Sequence, residues 1–480
     1  MAQTIIFPVA VLITALTHLL LRHLDYQHFV ALSASLATVS FFYFVVWRSW
    51  IYSYYISKLR HVPTVKGFPR WGQILDFITQ ECGVPQRRWC QNHGPVIRYF
   101  FPLGAERLYP KPLRAKLWMM RILGEGVLLA EGEEHMHQRK TLAPGFSTQS
   151  IKALESVFWG KSLLLANSWL EMMRADNVKT KPFEVLEWLN RTTLDIIGKA
   201  GFGDEINSLE QPDVPIREAY HLVFAFDLWS NVLRGLHSFI PISKYIPAKM
   251  NRDLDTPRRI IISKANKIIR KGQQGAEQNT SGRDIIALIA KTNKRLLDEG
   301  EKGLTFEAMR DQIMTFLGAG HDTTATGVAW TLHLLSAHPD IQSRLREEIR
   351  EYLPFLSGST ARPDIVELAT ASADQLPYLN NVCRESLRYI PPIPMTVRES
   401  IADDTLAGYK VPTGTIVYIL SNAINRLPIF DPDRWNHLPQ TWTQNGSTTF
   451  LQGPRGCIGR KFAETEMKIL LCSLLSIFDF

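Results

Sequence analysis

Two apolar runs open the chain, Ile5–Leu21 and Phe29–Trp47, and the second is long enough to cross a bilayer. Only Arg22 and Asp25 are charged between them, whereas Arg48, Lys58, Arg60, Lys66 and Arg70 follow, which predicts a cytosolic location for what comes after. Beyond the runs, apolar residues recur at three-and-four spacing over 151–175, 184–200, 306–338, 340–353 and 374–389, the signature of buried helix faces. The same spacing joins Phe462, Ala463, Met467, Leu470, Leu471, Leu474, Leu475 and Phe478 into one more helix. Strand patterns are few: Ile97–Phe101, Thr396–Glu399 and Ile416–Leu420, the last after the turn Pro412–Gly414. The expected class is mainly α with small β-sheets. Residues 1–50 are expected to form a membrane anchor of one or two transmembrane helices. Residues 51–72 form a hinge containing the proline and glycine stretch Val62–Gly72, and 73–480 form the globular body. Lys271–Gly282 reads as a polar loop.

The formal net charge of +8 and a pI near 9.1 raise the question of nucleic acid. No basic block with interleaved aromatics supports it, and a membrane surface or an acidic protein partner fits better. The five cysteines, at 82, 90, 383, 457 and 472, form no C-x-x-C pair. A cytosolic body keeps them reduced, which argues against zinc and against a disulfide framework.

Two stretches carry candidate chemistry. In "FLQGPRGCIGRKFAE", Cys457 sits among Gly453, Gly456 and Gly459 at the start of the last helix, where free amides and the helix dipole favour a thiolate. That suits a metal ligand or a nucleophile. In "MTFLGAGHDTTATGVAW", Gly318, Gly320, Asp322, Thr323 and Thr324 interrupt an otherwise apolar helix. Either the helix bends there with its hydroxyls satisfied, or a widened turn lets a hydroxyl and a carboxylate hold water and pass protons.

Four stretches in order, Ala319-Gly-His-Asp-Thr323, Glu385-x-x-Arg388, Pro432-Asp-Arg-Trp435 and Phe450-x-x-Gly453-x-Arg455-x-Cys457-x-Gly459, resemble the cytochrome P450 family. The resemblance covers nearly all of the chain beyond the anchor, with a tone similar to microsomal members from filamentous fungi. The Cys457 signature is specific by itself. Glu-x-x-Arg is not, since Glu171/Arg174, Glu307/Arg310 and Glu347/Arg350 also fit it and read as surface pairs.

The resemblance implies a P450-like fold and a haem b whose iron is ligated by Cys457. The loop Phe450, Gly453, Arg455 and Gly459 would surround the sulfur, and Arg139, Arg398, Arg455 and His135 would hold the propionates. Gly320 would make room for dioxygen, Asp322 and Thr323 would deliver protons, and Met120–Leu129 and Pro391–Val397 would line the substrate pocket. Arg434 would complete a triad with Glu385 and Arg388. The implied activity is a monooxygenase of the endoplasmic reticulum membrane, its body on the cytosolic face. It would draw NADPH electrons through a separate NADPH–cytochrome P450 reductase and insert one oxygen atom of O2 into a lipophilic molecule of secondary metabolism. Three departures stand out: His135 where the family carries tryptophan, a short segment between Asn425 and Pro432, and an end at Phe480 without the family's terminal hairpin. The last suggests a C-terminally incomplete body. It supports one alternative, a truncated, non-catalytic relative in the membrane; a second alternative is a haem-thiolate isomerase or dehydratase, against which the intact Asp322–Thr323 pair argues.

Overall fold

The computed structural model describes residues 84–93, 96–97, 111–112, 116–117, 119–120, 123–224, 249–277, 284–357, 373–425, 429–440, 442–443 and 446–480, with a few single positions before 84. The expected anchor at 1–50 lies outside the described residues, as does nearly all of the hinge at 51–72. Among the described residues, no helix is long and apolar enough to cross a membrane.

The chain divides into two compact units, one of residues up to Tyr109 with Glu399–Val417, the other of Pro110–Arg398 with Tyr418–Phe480. In chain order the helices are α1 (Val84–His93), α2 (Gly132–Leu142), α3 (Thr148–Lys152), α4 (Glu155–Ala175), α5 (Val185–Ile196), α6 (Pro215–Phe224), α7 (Lys249–Glu277), α8 (Ile285–Asp298), α9 (Phe306–Ser336), α10 (Pro339–Tyr352) and α11 (Pro377–Tyr389). Four short strands follow: β1 (Thr396–Glu399), β2 (Asp404–Leu406), β3 (Tyr409–Val411) and β4 (Ile416–Ile419). The chain closes with α12 (Ser421–Ile424) and α13 (Arg460–Leu475). The first unit holds α1 and the antiparallel hairpin β2–β3, in which Leu406 faces Tyr409.

The second unit is the helical body, and its starts are set by local chemistry. Thr305 caps α9 by accepting from the Ala308 amide (3.1 Å), and Asp284 caps α8 by accepting from Ala287 (2.9 Å). Pro339 follows the end of α9 and opens α10, where its missing amide is no loss. α9 runs through the core, with Ile313, Leu317, Ala325, Val328 and Leu335 fully buried. α4 and α13 pack through Phe158 and Phe462, whose rings meet edge-on at 4.8 Å.

Two expectations are corrected, and a third, the strand Ile97–Phe101, lies almost wholly outside the described residues. Lys271–Glu277 continues α7 rather than forming a loop. Ile268 and Ile269 are buried just before it, so the docked end carries the helix into a polar stretch. Ile97 lies outside any regular element, and 98–101 lie outside the described residues. α9 is continuous, with no widened turn. The Thr323 hydroxyl donates to Ala319 O (2.8 Å) and the Thr324 hydroxyl to Gly320 O (3.3 Å), so the polar cluster is satisfied inside the helix.

Candidate active site

The glycine loop before α13 is tightly folded. Leu451 and Gly453 take φ of 55° and 68°, a region that glycine enters without strain. The Cys457 amide donates to Phe450 O (2.8 Å), and Arg139 Nη1 donates to Gly456 O (2.7 Å). Gly459 faces Phe146, whose ring meets Phe316 of α9 edge-on at 5.1 Å. These contacts bring α2, α9 and the cysteine loop together around one place. Arg460 lies over the Phe450 ring at 5.3 Å.

Among the four described cysteines, Cys457 is the exposed one. Protein nevertheless surrounds it on most sides. The expected thiolate preference is not found. Burial raises the thiol pKa, and the Gly459 amide and the charge of Arg139 only partly offset it. A cation at the sulfur would invert that balance.

α9 supplies a matching surface. In the mostly buried middle of this helix, Ala319 and Asp322 are exposed and Thr323 and Thr326 half-buried, and the four share one face. Gly320 points elsewhere. A Cβ there would come 3.2 Å from Cγ1 of Ile197, in the π-helical turn Ile197–Gly201 that extends α5. The expected role of Gly320 is corrected accordingly: its missing side chain permits the close crossing of α5 and α9. His321, next to it, is buried against the Tyr220 ring and bonded to Leu317 O (2.6 Å).

A basic cluster lies beside the cysteine loop. Arg455 Nη1 donates to Ala130 O (2.6 Å) and its guanidinium pairs with Glu131. Glu131 Oε1 also accepts from the Lys111 amide (3.2 Å) and lies 3.9 Å from Lys111 Nζ. Burial, together with repulsion from Arg398, Arg455 and Lys116, pushes the Lys111 pKa down to about 7. His135 is buried, and its pKa is lowered by burial and by Arg139 and Lys111. Arg398 is buried too, donating to Thr396 Oγ1 and Val397 O (both 2.8 Å). Sequence reasoning missed Lys111 and Glu131, because neither position carries a local signal.

The triad is assembled. Glu385, fully buried, accepts from Arg388 Nε (2.8 Å) and Nη2 (2.7 Å), from the Asp431 amide (2.8 Å) and from Trp435 Nε1 (3.0 Å). Arg434 Nε lies 3.5 Å away. Arg388 also donates to Asn425 O and to Ile429 O (3.1 Å), so the short segment between them is held at both ends. The other Glu-x-x-Arg matches are not built in this way. Glu347 and Arg350 are exposed, and Arg310 turns to Asp311.

The family model described as Cytochrome P450 matches residues 109–480. The chain belongs to the cytochrome P450 family. Three of its relatives are named cytochrome P450 monooxygenases. The sphH protein of Aspergillus fumigatus is 33% identical over 91% of this chain and 86% of its own. ALT8 of Alternaria alternata is 32% identical over 91% and 86%, and FUM15 of Gibberella moniliformis 32% over 91% and 85%. As a P450 the chain is an oxidoreductase of the monooxygenase type, a class that works with a cysteine-ligated haem, O2, a small-molecule substrate and a redox partner.

The residues present fit such a group. An accessible thiol sits in the glycine loop, and Arg139, Arg398, Arg455 and Lys111 stand near that loop with Glu131 as the carboxylate paired into the cluster. Burial first, and then the neighbouring cations, depress Lys111, and the two carboxylates of a haem would offer these cations partners.

Proposed function

We propose that this P450 is a membrane-anchored monooxygenase of the cytosolic face of the endoplasmic reticulum, oxidising a lipophilic small molecule of secondary metabolism with electrons from NADPH–cytochrome P450 reductase. The observations that support the reading are the exposed Cys457 thiol in its glycine loop and the accessible Asp322–Thr323 face of α9, the helix that reaches that loop through Phe316 and Phe146. The fungal relatives named above favour the small-molecule class, and the apolar runs at Ile5–Leu21 and Phe29–Trp47 favour the anchor.

Cys457 would hold the haem, Arg139, His135, Arg398 and Arg455 its carboxylates, and Phe450 and Gly453 the loop around the sulfur. When bound, the haem supplies dioxygen activation, and electron density pushed from a thiolate ligand favours O–O cleavage. The chain's own part is proton management. A Thr323 hydroxyl anchored on Ala319 O keeps its lone pairs free to accept from a water, and Asp322 beside it can resupply the proton. Positioned acid catalysis of this kind is worth roughly a hundredfold or more.

Thr323→Ala in haem-loaded protein with reductase is therefore expected to keep consuming NADPH while releasing more hydrogen peroxide and less product. Asp322→Asn is expected to slow NADPH consumption itself. An unchanged ratio of product to NADPH in Thr323→Ala would remove the proton-delivery role.

Lys111 gives a second expectation. Its pKa is about 7, below the ordinary 10.5, so between these values the unfolded chain binds a proton that the folded chain does not. Stability contributed by this group therefore rises with pH across that window. Haem carboxylates would favour the charged lysine, so haem uptake at about pH 8 takes up a proton there. Titration calorimetry in buffers of different ionisation enthalpy should show this uptake. Lys111→Met should lose it, and equal uptake in both proteins would rule out Lys111 as its source.

A further inference from the structure

α9 is gripped from the side away from its accessible face. The Tyr220 hydroxyl of α6 donates to Met314 O (3.1 Å), and the Tyr220 ring meets His321 edge-on at 5.6 Å. The Thr193 hydroxyl of α5 reaches His321 O (3.0 Å), sharing its one hydrogen with Leu189 O of its own helix (2.9 Å). Ile197, in the π-helical turn after α5, lies against Gly320 between these two ties. Thr193 is 0% exposed and Tyr220 1%, so water does not compete for either bond.

Neither bond is needed to satisfy the carbonyl it reaches. Met314 and His321 lie inside a continuous helix, where each carbonyl already accepts from the amide four residues on. The extra donors attach α9 to its neighbours rather than supply a missing partner.

What the ties bracket decides their use. Met314 and His321 are about two turns apart, roughly 10 Å of rise. Gly318 and Gly320 lie between them, and glycine is a weak helix former. Ala319 lies there too, and its carbonyl holds the Thr323 hydroxyl (2.8 Å). Asp322 directly follows the second tie and, two residues past Gly320, points about 200° around the helix from it. Rotation of α9 in this stretch would swing Asp322 and Thr323 together, and the two ties with the Ile197 contact oppose it.

We propose that Thr193 and Tyr220 are positioning residues: by tying His321 O and Met314 O to α5 and α6, they fix the rotation of α9 and so the aim of the Asp322–Thr323 pair. The proposal rests on the reading of that pair as the source of protons. Neither α5 nor α6 supplies a residue assigned to the haem, so loosening the ties misaims the pair and leaves the haem contacts in place.

The test uses haem-loaded protein with reductase, NADPH and dioxygen, and no added substrate. One NADPH and one proton then reduce O2 to hydrogen peroxide; where the O–O bond breaks, two NADPH and two protons reduce it to two waters. NADPH consumed less peroxide formed therefore gives the share ending as water, which reports proton delivery. Thr193→Val and Tyr220→Phe remove only the hydroxyls, and Thr193→Ser keeps one. Each hydroxyl-free variant is expected to lower the water share about twofold or more, with the carbon-monoxide spectrum unchanged. Amide exchange over 318–325 should rise about fivefold, the effect of one buried hydrogen bond. Thr193→Ser should match the unaltered protein in both. Unchanged exchange, an unchanged water share, or a Thr193→Ser that behaves like Thr193→Val overturns the proposal. Loss of haem from both hydroxyl-free variants also overturns it, in favour of a purely structural role. Thr323→Ala separates the two readings. If it lowers the water share and the tie variants do not, only the positioning role falls. If Thr323→Ala itself changes nothing, the reading of the pair as proton source falls and the positioning role falls with it.

Discussion

Cys457→Ala is expected to abolish the thiolate-type absorption of the reduced, carbon-monoxide-bound protein. Alanine at Cys383, Cys472 or Cys90 is expected to leave it intact. Cys383 and Cys472 are buried, and burial pushes the Cys383 thiol up to about 12 and the Cys472 thiol well above its usual range. Neither offers a thiolate to a ligand. Cys90, half-buried on α1, is also raised by burial. Cys457 is raised as well, but it is exposed, has the Gly459 amide at its sulfur and stands near Arg139. A metal ion at that place turns a costly thiolate into the favoured form. The spectrum reports haem and thiolate together, so a normal spectrum in Cys457→Ala would refute the assignment outright.

Arg388→Ala carries the second large effect. It removes two hydrogen bonds from Glu385, which has no access to water, and releases Asn425 O and Ile429 O at once. Breaking a buried pair by deleting one partner costs about 3–5 kcal/mol, because the remaining charge is stranded. The consequence reaches the segment before the cysteine loop. Asp431 and Trp435 bond the same carboxylate, Trp435 carries Arg384 at 4.0 Å over its ring, and Asn425 accepts from Thr448 (2.8 Å) just before Phe450. Arg388→Ala should unfold at a lower denaturant concentration and retain less haem, while Arg350→Ala, at an exposed position, should be close to neutral. Matching unfolding midpoints for the two variants would dismiss the triad as a support.

Much of this was legible along the chain. Periodicity placed α4, α5, α9, α10, α11 and α13, because each buries one long apolar stripe and that stripe is written at helical spacing. The glycines at 453 and 459 marked the turn and the close approach that put Cys457 at a helix start. Helices α2, α6, α7 and α8 were missed: α2 carries little apolar pattern, whereas α8 buries Ile285, Ile286, Ile289, Ala290 and Leu296 at helical spacing, a signal that was present along the chain.

What the sequence by itself determined is the order of the motifs and the chemistry each residue type can perform: a thiol in a glycine loop, a carboxylate beside a hydroxyl, a glutamate three residues before an arginine. Only the tertiary structure decided which copies of those patterns matter. Glu385–Arg388 is buried and Glu347–Arg350 is not, although the two read alike. Gly320 serves the crossing with Ile197 because a Cβ has a direction, and that direction depends on which helix lies alongside. Lys111 and Glu131 joined the site, and Gln138 and Gln312 met across 174 residues, through contacts with no local trace. Side-chain type is a property of the chain, whereas burial, charge balance and approach are set only when distant segments pack. Those three decide whether a group is a surface charge, a support or part of the chemistry.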